Sequence, residues 1–253
     1  MARGRPADAI APCETALRLR PNFALAHSNL GNALLQTGRA VEAEAHVRTA
    51  LRLNSELAPA QSNLAGILFR NGKFEEAIGH AREALRLKPG LSDANVTLVA
   101  SLFSAGRTAE AILPIEAGLL LRPEDAEMWS NLGAVFYQLG RPREAVAPLR
   151  KALQLQPDLV TAHNNLGSAL LQSGEPLEAL KHYRAALRGE PNNADTHANL
   201  GLALLRAGQR AEAVGAFENA LRLNPGQAAA RASLGAARES PPDPAAPGTP
   251  RNN

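Results

Sequence analysis

Apolar residues recur along this chain at the three- and four-residue spacing that is typical of amphipathic helices. Trp129, Leu132, Gly133 and Phe136 stand at i, i+3, i+4 and i+7, so one face of a predicted helix carries apolar or small side chains. Gly140 is expected to end this helix, because glycine readily adopts the left-handed conformation that helix C-termini favour.

A second helix is predicted directly after this glycine. Pro142 suits its first turn, where the missing N–H of proline leaves no hydrogen bond unmade. Ala145, Leu149 and Ala152 form its apolar stripe, and Pro157 ends it. Small residues on both helices allow a close antiparallel approach. Neither stripe is fully buried until neighbouring helix pairs stack, so the pattern predicts a stack of such pairs.

The pattern recurs with a period of 34 residues. The glycine between the two helices belongs to a column of six, Gly38, Gly72, Gly106, Gly140, Gly174 and Gly208. A proline column follows the second helices at Pro21, Pro89, Pro123, Pro157, Pro191 and Pro225, with Ser55 in the remaining place. Several columns in phase over six units indicate a repeat protein.

Stacked helix pairs predict an all-α fold, a right-handed superhelix of antiparallel helix pairs. The predicted segments are a single-helix half repeat (1–23), six complete repeats (24–227), a capping helix (228–239) and a disordered Pro-rich tail (240–253). The complete repeats are residues 24–57, 58–91, 92–125, 126–159, 160–193 and 194–227. The third repeat has Val99 in place of glycine and Pro114 inside its second helix, so we expect a kink or weaker packing there.

One repeat resembles the signature of the tetratricopeptide repeat (TPR), which places Trp, Leu-Gly, Tyr, Ala, Phe and Pro at fixed offsets. The matching residues are Trp129, Leu132, Gly133, Phe136, Ala145, Leu149 and Pro157. The resemblance covers most of the chain. It implies a helical solenoid whose work is to hold another protein or peptide.

Composition and motifs contain no sign of catalysis. The chain is 45% hydrophobic with only 4% aromatic residues, which suits a core of alanine and leucine. It lacks the phosphate-binding loop, the zinc-protease motif and the serine-hydrolase motif, so we predict no enzyme activity, cofactor or metal. The lone Cys13 is expected to pack in the core. A single cysteine also fits a protein of a reducing compartment. No secretory signal or membrane segment is recognisable, so we expect a cytoplasmic protein.

Histidine and arginine form columns that could bind ligands. His46, His80 and His182 occupy the same position on the second helices. A metal ion could bridge neighbouring repeats there, but no acidic or cysteine ligands accompany the histidines, which speaks against a metal site. His27, His163 and His197 replace the signature tryptophan, where local hydrogen bonding explains them. The arginines near the ends of the second helices form either a solvated face or a basic stripe for an acidic partner. Interleaved glutamates and few aromatic residues speak against nucleic acid.

Asparagine immediately precedes the signature leucine in five repeats. These residues, called the asparagine row below, are Asn29, Asn63, Asn131, Asn165 and Asn199; Thr97 interrupts them. Asparagine is a mediocre helix former, so five in register need an explanation. One hypothesis is peptide binding, because an amide offers the donor and the acceptor that an extended backbone requires. The other is that the amides bridge neighbouring helices and bind nothing.

The row also resembles the repeat arm of O-linked N-acetylglucosaminyltransferases and their bacterial relatives, which implies that it lines a concave surface. Candidate binding residues one turn further along the first helices are Gln36, Arg70, Gln138, Gln172 and Arg206. We predict a protein-interaction scaffold that holds an extended peptide. The alternative is the substrate-recognition arm of a larger enzyme such as a glycosyltransferase. Self-association through end helices around Ile10 and Leu17 is a third possibility.

Overall fold

A computed structural model describes residues 5–239 of the chain, and this part consists of helices without any β-strand. Residues 1–4 and the predicted tail, residues 240–253, lie outside the described residues. The α-helices are α1 (Ile10–Leu19), α2 (Ala24–Gln36), α3 (Ala40–Leu53), α4 (Ala58–Arg70), α5 (Phe74–Leu87), α6 (Ser92–Ser104), α7 (Ile112–Leu121), α8 (Ala126–Gln138), α9 (Pro142–Leu155), α10 (Val160–Gln172), α11 (Pro176–Gly189), α12 (Ala194–Arg206), α13 (Arg210–Leu223) and α14 (Ala228–Glu239). Short 3-10 helices, Pro6–Ala9 and Thr108–Ala111, precede α1 and α7. The predicted all-α class is confirmed.

The chain divides into two compact units, Met1–Pro123 and Glu124–Asn253. In the first unit, α2 pairs with α3 and α4 pairs with α5, while α6 is followed by the second 3-10 helix and α7. In the second unit, the pairs are α8 with α9, α10 with α11 and α12 with α13, and α14 packs on α13. Within each unit the first helices of successive repeats also contact one another. They therefore lie side by side.

The turn between the two helices of a repeat depends on glycine. Gly140 has a φ of 71°, the left-handed region in which a side chain would be strained. Its N–H donates to the Tyr137 carbonyl at 3.0 Å, and the Arg141 N–H donates to the Phe136 carbonyl at 2.9 Å. These two bonds form a Schellman motif, which satisfies carbonyls at the end of α8. All six glycines of the column have positive φ, so the predicted stop signal is confirmed.

Complementary side-chain volumes hold the two helices of a repeat together. A Cβ atom built on Gly133 would lie 2.3 Å from Cγ of Leu149, so the glycine makes room for the leucine of α9. The same exchange pairs Gly167 with the fully buried Tyr183, and Gly201 with Phe217. The second repeat divides the volume differently and places Ala65 and Ala81, both fully buried, at the equivalent positions.

The third repeat breaks this rule. Val99 and Ile115 are both large and occupy the positions that Gly133 and Leu149 occupy in the next repeat. The first turn of its second helix is the 3-10 segment Thr108–Ala111, and α6 and α7 pack less closely than the other pairs. Pro114 alone does not account for this, because Pro148 stands at the same position inside an unbroken α9. The predicted weak packing is present, and its cause lies in two large side chains.

Candidate functional site

The asparagine row follows from the way the first helices lie side by side. Asn131, Asn165 and Asn199 belong to α8, α10 and α12, which contact one another in sequence within the second unit. In the first unit, Asn29 on α2 and Asn63 on α4 are related in the same way. Asn29 and Asn131 are exposed and the other three are half-buried. Each unit therefore presents a line of amides at its surface.

Most of these amides form no hydrogen bond within residues 5–239. Asn63 is the exception, because its Nδ2 donates to the Ser28 carbonyl at 3.3 Å and so bridges α4 to α2. In the described part of the chain, no hydrogen bond joins the side chain of Asn29, Asn131, Asn165 or Asn199 to another residue. The bridging hypothesis therefore accounts for Asn63. It does not account for the three asparagines of the second unit.

The second set of candidate residues lies at the C-terminal ends of the same helices, and all five are exposed. They are Gln36, Arg70, Gln138, Gln172 and Arg206. Arg206 donates from Nη1 to the Leu171 carbonyl at 2.8 Å, which ties α12 to α10 and leaves its other donors available. Gln36 donates to Asn32 Oδ1 at 3.1 Å. These residues extend the polar surface beside the asparagine row.

Charge is mixed along this surface of the second unit. Glu127 and Asp195 are exposed in the first turns of α8 and α12, where the helix dipole favours negative charge. Arg206 stands at the opposite end of α12. The amides of Asn165 and Asn199 lie between these ends and carry no charge. Charges of both signs therefore flank neutral amides on this surface.

Each unit has a cavity beside one of its row asparagines. Asn29 and Gln36 line a cavity of about 500 Å³ together with Asp8 and Cys13 from the N-terminal helical segment. Burial raises the pKa of the Cys13 thiol, which disfavours the thiolate, the nucleophilic form. Asn199 lines a smaller cavity of about 260 Å³ against α14. Partly open space therefore lies beside Asn29 and beside Asn199.

Family models described as tetratricopeptide repeat match residues 22–89, 68–135, 164–228 and 198–246. Another, described as TPR repeat, matches residues 135–174. Together the matches run from residue 22 to residue 246. The chain belongs to the tetratricopeptide repeat family.

Solved TPR structures share this fold at low sequence identity. PilF of Pseudomonas aeruginosa gives a TM-score of 0.70 at 22% identity, covering 84% of this chain and 97% of that one. A tetratricopeptide repeat protein from Parabacteroides merdae gives 0.69 at 18% identity, covering 85% of each chain. The structure of the APC/C hetero-tetramer Cut9–Hcn1 gives 0.70 at 19% identity. It covers 92% of this chain, which spans 46% of the matched one. A comparison with curated protein sequences gave no match.

In two of the repeats, the first-helix histidine pairs with the second-helix histidine of the same repeat. His27 Nδ1 lies 2.9 Å from His46 Nδ1, and His163 Nδ1 lies 3.0 Å from His182 Nδ1. His27 Nε2 also lies 2.9 Å from the Pro21 carbonyl, which can only accept a hydrogen bond. In the neutral pair, His27 Nδ1 is therefore the acceptor and His46 Nδ1–H the donor. Sequence reasoning missed this pairing, which joins residues 19 apart.

Each second-helix histidine has a lowered pKa. Burial is the main cause for both His46 and His182, and the neighbouring imidazole lowers each pKa further. His80 has no histidine partner and bonds to Gln61 Oε1 at 2.7 Å. Burial lowers the pKa of His80 too, followed by the charge of Arg48. Within residues 5–239, no group of three metal-ligating side chains gathers around these rings.

The arginine columns are largely paired with glutamates. Arg82 bonds to Glu110 at 2.7 Å and Arg184 bonds to Glu212 at 2.9 Å, each linking the second helices of successive repeats. Hydrogen bonds from Arg107 and Arg82 lower the pKa of Glu110 to about 2. These contacts favour the solvated-face interpretation of the arginines. Across the described residues, no helix has the length and apolar character needed to cross a bilayer.

Proposed function

We propose that this TPR protein is an interaction scaffold that binds an extended peptide segment along the first helices, with the asparagine row as its main contact. The observation that carries the proposal is that Asn131, Asn165 and Asn199 present amides with no hydrogen-bond partner in the described chain. Each amide can donate to a backbone carbonyl and accept from a backbone N–H of the ligand.

Spacing supports an extended ligand. Packed helices lie about 8–10 Å apart, and an extended chain rises about 3.3 Å per residue. One asparagine therefore meets roughly every third residue of a peptide that crosses the helices. Contacts made to the peptide backbone do not depend on the peptide side chains. The neutral row then binds many sequences, and the flanking Gln138, Gln172 and Arg206 add selectivity.

Magnitudes limit what the row does alone. A hydrogen bond contributes about 0.5–1.5 kcal/mol net, whereas association costs on the order of 4–15 kcal/mol. The row therefore supplies part of the affinity and positions the peptide. Apolar contacts beside it, such as those available from Leu202, supply the remainder; this leucine is 39% exposed on α12.

The test selects peptides from a displayed random dodecapeptide library against the full chain and measures each affinity by titration calorimetry. The Asn131→Ala, Asn165→Ala, Asn199→Ala triple variant should bind the selected peptides about tenfold to a thousandfold more weakly, because three or more hydrogen bonds are lost. The matched control is the Gln154→Ala, Lys181→Ala, Asn219→Ala triple variant, which changes exposed residues on the second helices of the same repeats. It should bind within twofold of the native chain.

Equal affinities for the native chain and the asparagine variant, with both helical by circular dichroism, would rule out the row as a binding surface. A second arm tests backbone recognition. Methylating backbone nitrogens of the selected peptide should weaken binding more than replacing its side chains by alanine, because the proposed contacts are to the backbone.

The same row suits the substrate-recognition arm of a larger enzyme such as a glycosyltransferase, because backbone recognition tolerates many substrates. This alternative differs from the scaffold in requiring a catalytic domain joined to the repeats. A longer open reading frame that encodes one, together with modification of the selected peptides by the longer product, would favour the arm. Binding of the peptides without modification would favour the scaffold.

A further inference from the structure

A recurring side-chain bond ties the loop before four of the first helices, and before α14, to the helix that follows. The fourth residue of the helix donates to the carbonyl six residues earlier, and the acceptor lies in the loop. The bonds of this kind are His27 to Pro21, Gln61 to Ser55, His163 to Pro157 and His197 to Pro191, each at 2.9 Å, and Arg231 to Pro225. The donors are all long side chains that fill the space under the loop.

The third repeat lacks this bond. Its fourth residue is Asn95, whose Nδ2 donates instead to the Pro114 carbonyl on α7 at 2.9 Å. No residue of the described chain donates to the Pro89 carbonyl, which stands where the acceptor stands in the other repeats. Asn95 Oδ1 is buried without a partner, and the residue is only 6% exposed. Two acceptors therefore have no donor within the described chain, the buried Asn95 Oδ1 and the carbonyl of the exposed Pro89.

A cavity of about 470 Å³ occupies this place. Its walls are largely apolar and include Leu85, Pro89, Asn95, Leu98 and Ala117. A smaller cavity of about 70 Å³ also borders Pro89 and Asn95. The space exists because asparagine is shorter than the histidine or glutamine of other repeats and because the helix pair with two large facing residues packs loosely.

The lining of the cavity also includes an exposed apolar side chain and an ion pair. Leu113 on α7 lines the cavity and is 75% exposed. Arg82 and Glu110 also line it and bond to each other at 2.7 Å, so the pair adds little net charge. The cavity therefore combines apolar surface with two hydrogen-bond acceptors, Asn95 Oδ1 and the Pro89 carbonyl.

We propose that this cavity binds a planar aromatic ring that carries an N–H donor, about the size of an indole. The unpartnered polar atoms of Pro89 and Asn95 both accept, so the ligand must donate. The apolar walls exclude a charged or strongly hydrated ligand. Ring donors fill the equivalent space in the first, fifth and sixth repeats, where His27, His163 and His197 make the missing bond.

The volume is sufficient for such a ring. An apolar cavity of about 150 Å³ is enough to bind benzene. None of the asparagine row lines this cavity, so the proposal is independent of the proposed function. The ring has two possible sources, a tryptophan side chain of a protein partner or a free indole compound, and both have the same chemistry.

The test titrates indole, 1-methylindole and the peptide acetyl-Ala-Ala-Trp-Ala-Ala-amide into the full chain and follows amide chemical shifts by NMR. Indole should shift the resonances of residues near Asn95 and Leu98. Methylation of the ring nitrogen should weaken binding about fivefold, because one hydrogen bond is lost. Tighter binding of the peptide than of indole would identify a partner side chain as the source. Binding of indole alone would identify a free compound.

Two variants keep the proposal falsifiable. Asn95→His should restore the bond to the Pro89 carbonyl, raise Tm by about 2–4 °C and abolish indole binding. Ala117→Met narrows the cavity from α7 without touching Asn95 and should also abolish binding. Absence of saturable binding at millimolar indole, or equal binding by the native chain and a folded Asn95→His variant, would overturn the proposal.

Discussion

Replacing Gly133 by alanine should lower the free energy of unfolding by about 1–3 kcal/mol, although alanine is the better helix former by about 1 kcal/mol. The reason is the 2.3 Å approach that a new Cβ would make to Cγ of Leu149. This contact involves the branch point of the leucine, not the far end of a flexible chain. Urea unfolding followed by circular dichroism measures the change.

The same substitution should change sign when Leu149 is first truncated. Leu149→Ala alone should cost about 2–5 kcal/mol, because it leaves a cavity in a fully buried position. In that background Gly133→Ala fills space and gains helix propensity, so it should raise stability by up to about 1 kcal/mol. The second repeat already contains this combination as Ala65 and Ala81, both fully buried.

Gly215→Ala is the matched control for this cycle. Gly215 lies inside α13 of the same unit, and a Cβ there would meet nothing within 4 Å. It should stabilise the chain by about 0.5–1 kcal/mol in either background. Gly133→Ala could instead have the same effect whether residue 149 is leucine or alanine. In that case, the fit of the Leu149 side chain against Gly133 does not hold the helix pair together.

Acidification should destabilise the chain as pH falls below about 6.5, the ordinary pKa of histidine in the unfolded chain. His46, His80 and His182 have lowered pKa values in the folded state, so the unfolded state binds protons first and gains stability relative to the native state. Their contribution is present above pH 6.5 and is lost as pH falls through the lower folded pKa values. Carboxylates titrate at more acidic pH.

The paired rings explain why the effect should be large at two repeats. His27 and His46 share one hydrogen bond, and a second proton would place two N–H groups face to face across 2.9 Å. Each histidine pair that carries two extra protons should lower the free energy of unfolding by about 1–2 kcal/mol. Glu14 and Glu42 favour protonation of His46 and raise its pKa, whereas Arg39 disfavours protonation and lowers the pKa. Glu178 likewise raises the pKa of His182, whereas Arg150 and Lys181 lower it.

The double variant His46→Gln, His182→Gln removes the second titrating ring from both pairs and keeps an amide that can donate to the first ring. Its free energy of unfolding should fall less than that of the native chain between pH 7.5 and pH 5.5. His80 serves as an internal control, because its partner Gln61 does not titrate and it is retained in both proteins. An equal fall in the two proteins would place the acid sensitivity elsewhere.

Much of the fold is visible in the sequence because its determinants are local. The apolar spacing of the helices and the turn at Gly140 depend on residues within one 34-residue repeat. Because each column recurs in the other repeats, they support the same assignment of helices. Val99 and Pro114 mark the third repeat as irregular in the sequence itself. Pro114 alone does not break a helix at this position, because Pro148 at the same position leaves α9 intact.

The candidate site was predictable only as a set of positions. The column of Asn131, Asn165 and Asn199 follows from the period, and side-by-side first helices turn it into a row. Which amides are occupied does not follow, since Asn63 reaches the Ser28 carbonyl of the neighbouring repeat and the others have no such bond in the described chain. That difference depends on distances between helices that no local pattern contains.

The sequence by itself determined the repeat, the helix pairs and the residues at each equivalent place, because period and turn chemistry act over a few residues. Only the tertiary structure decided which contacts the residues at these equivalent positions make. It joined His27 to His46 and gave Leu149 the space left by Gly133. Beside Asn95, it left the Pro89 carbonyl without a donor among residues 5–239. The physical reason is that these outcomes depend on summed volumes and hydrogen-bond reach between different helices.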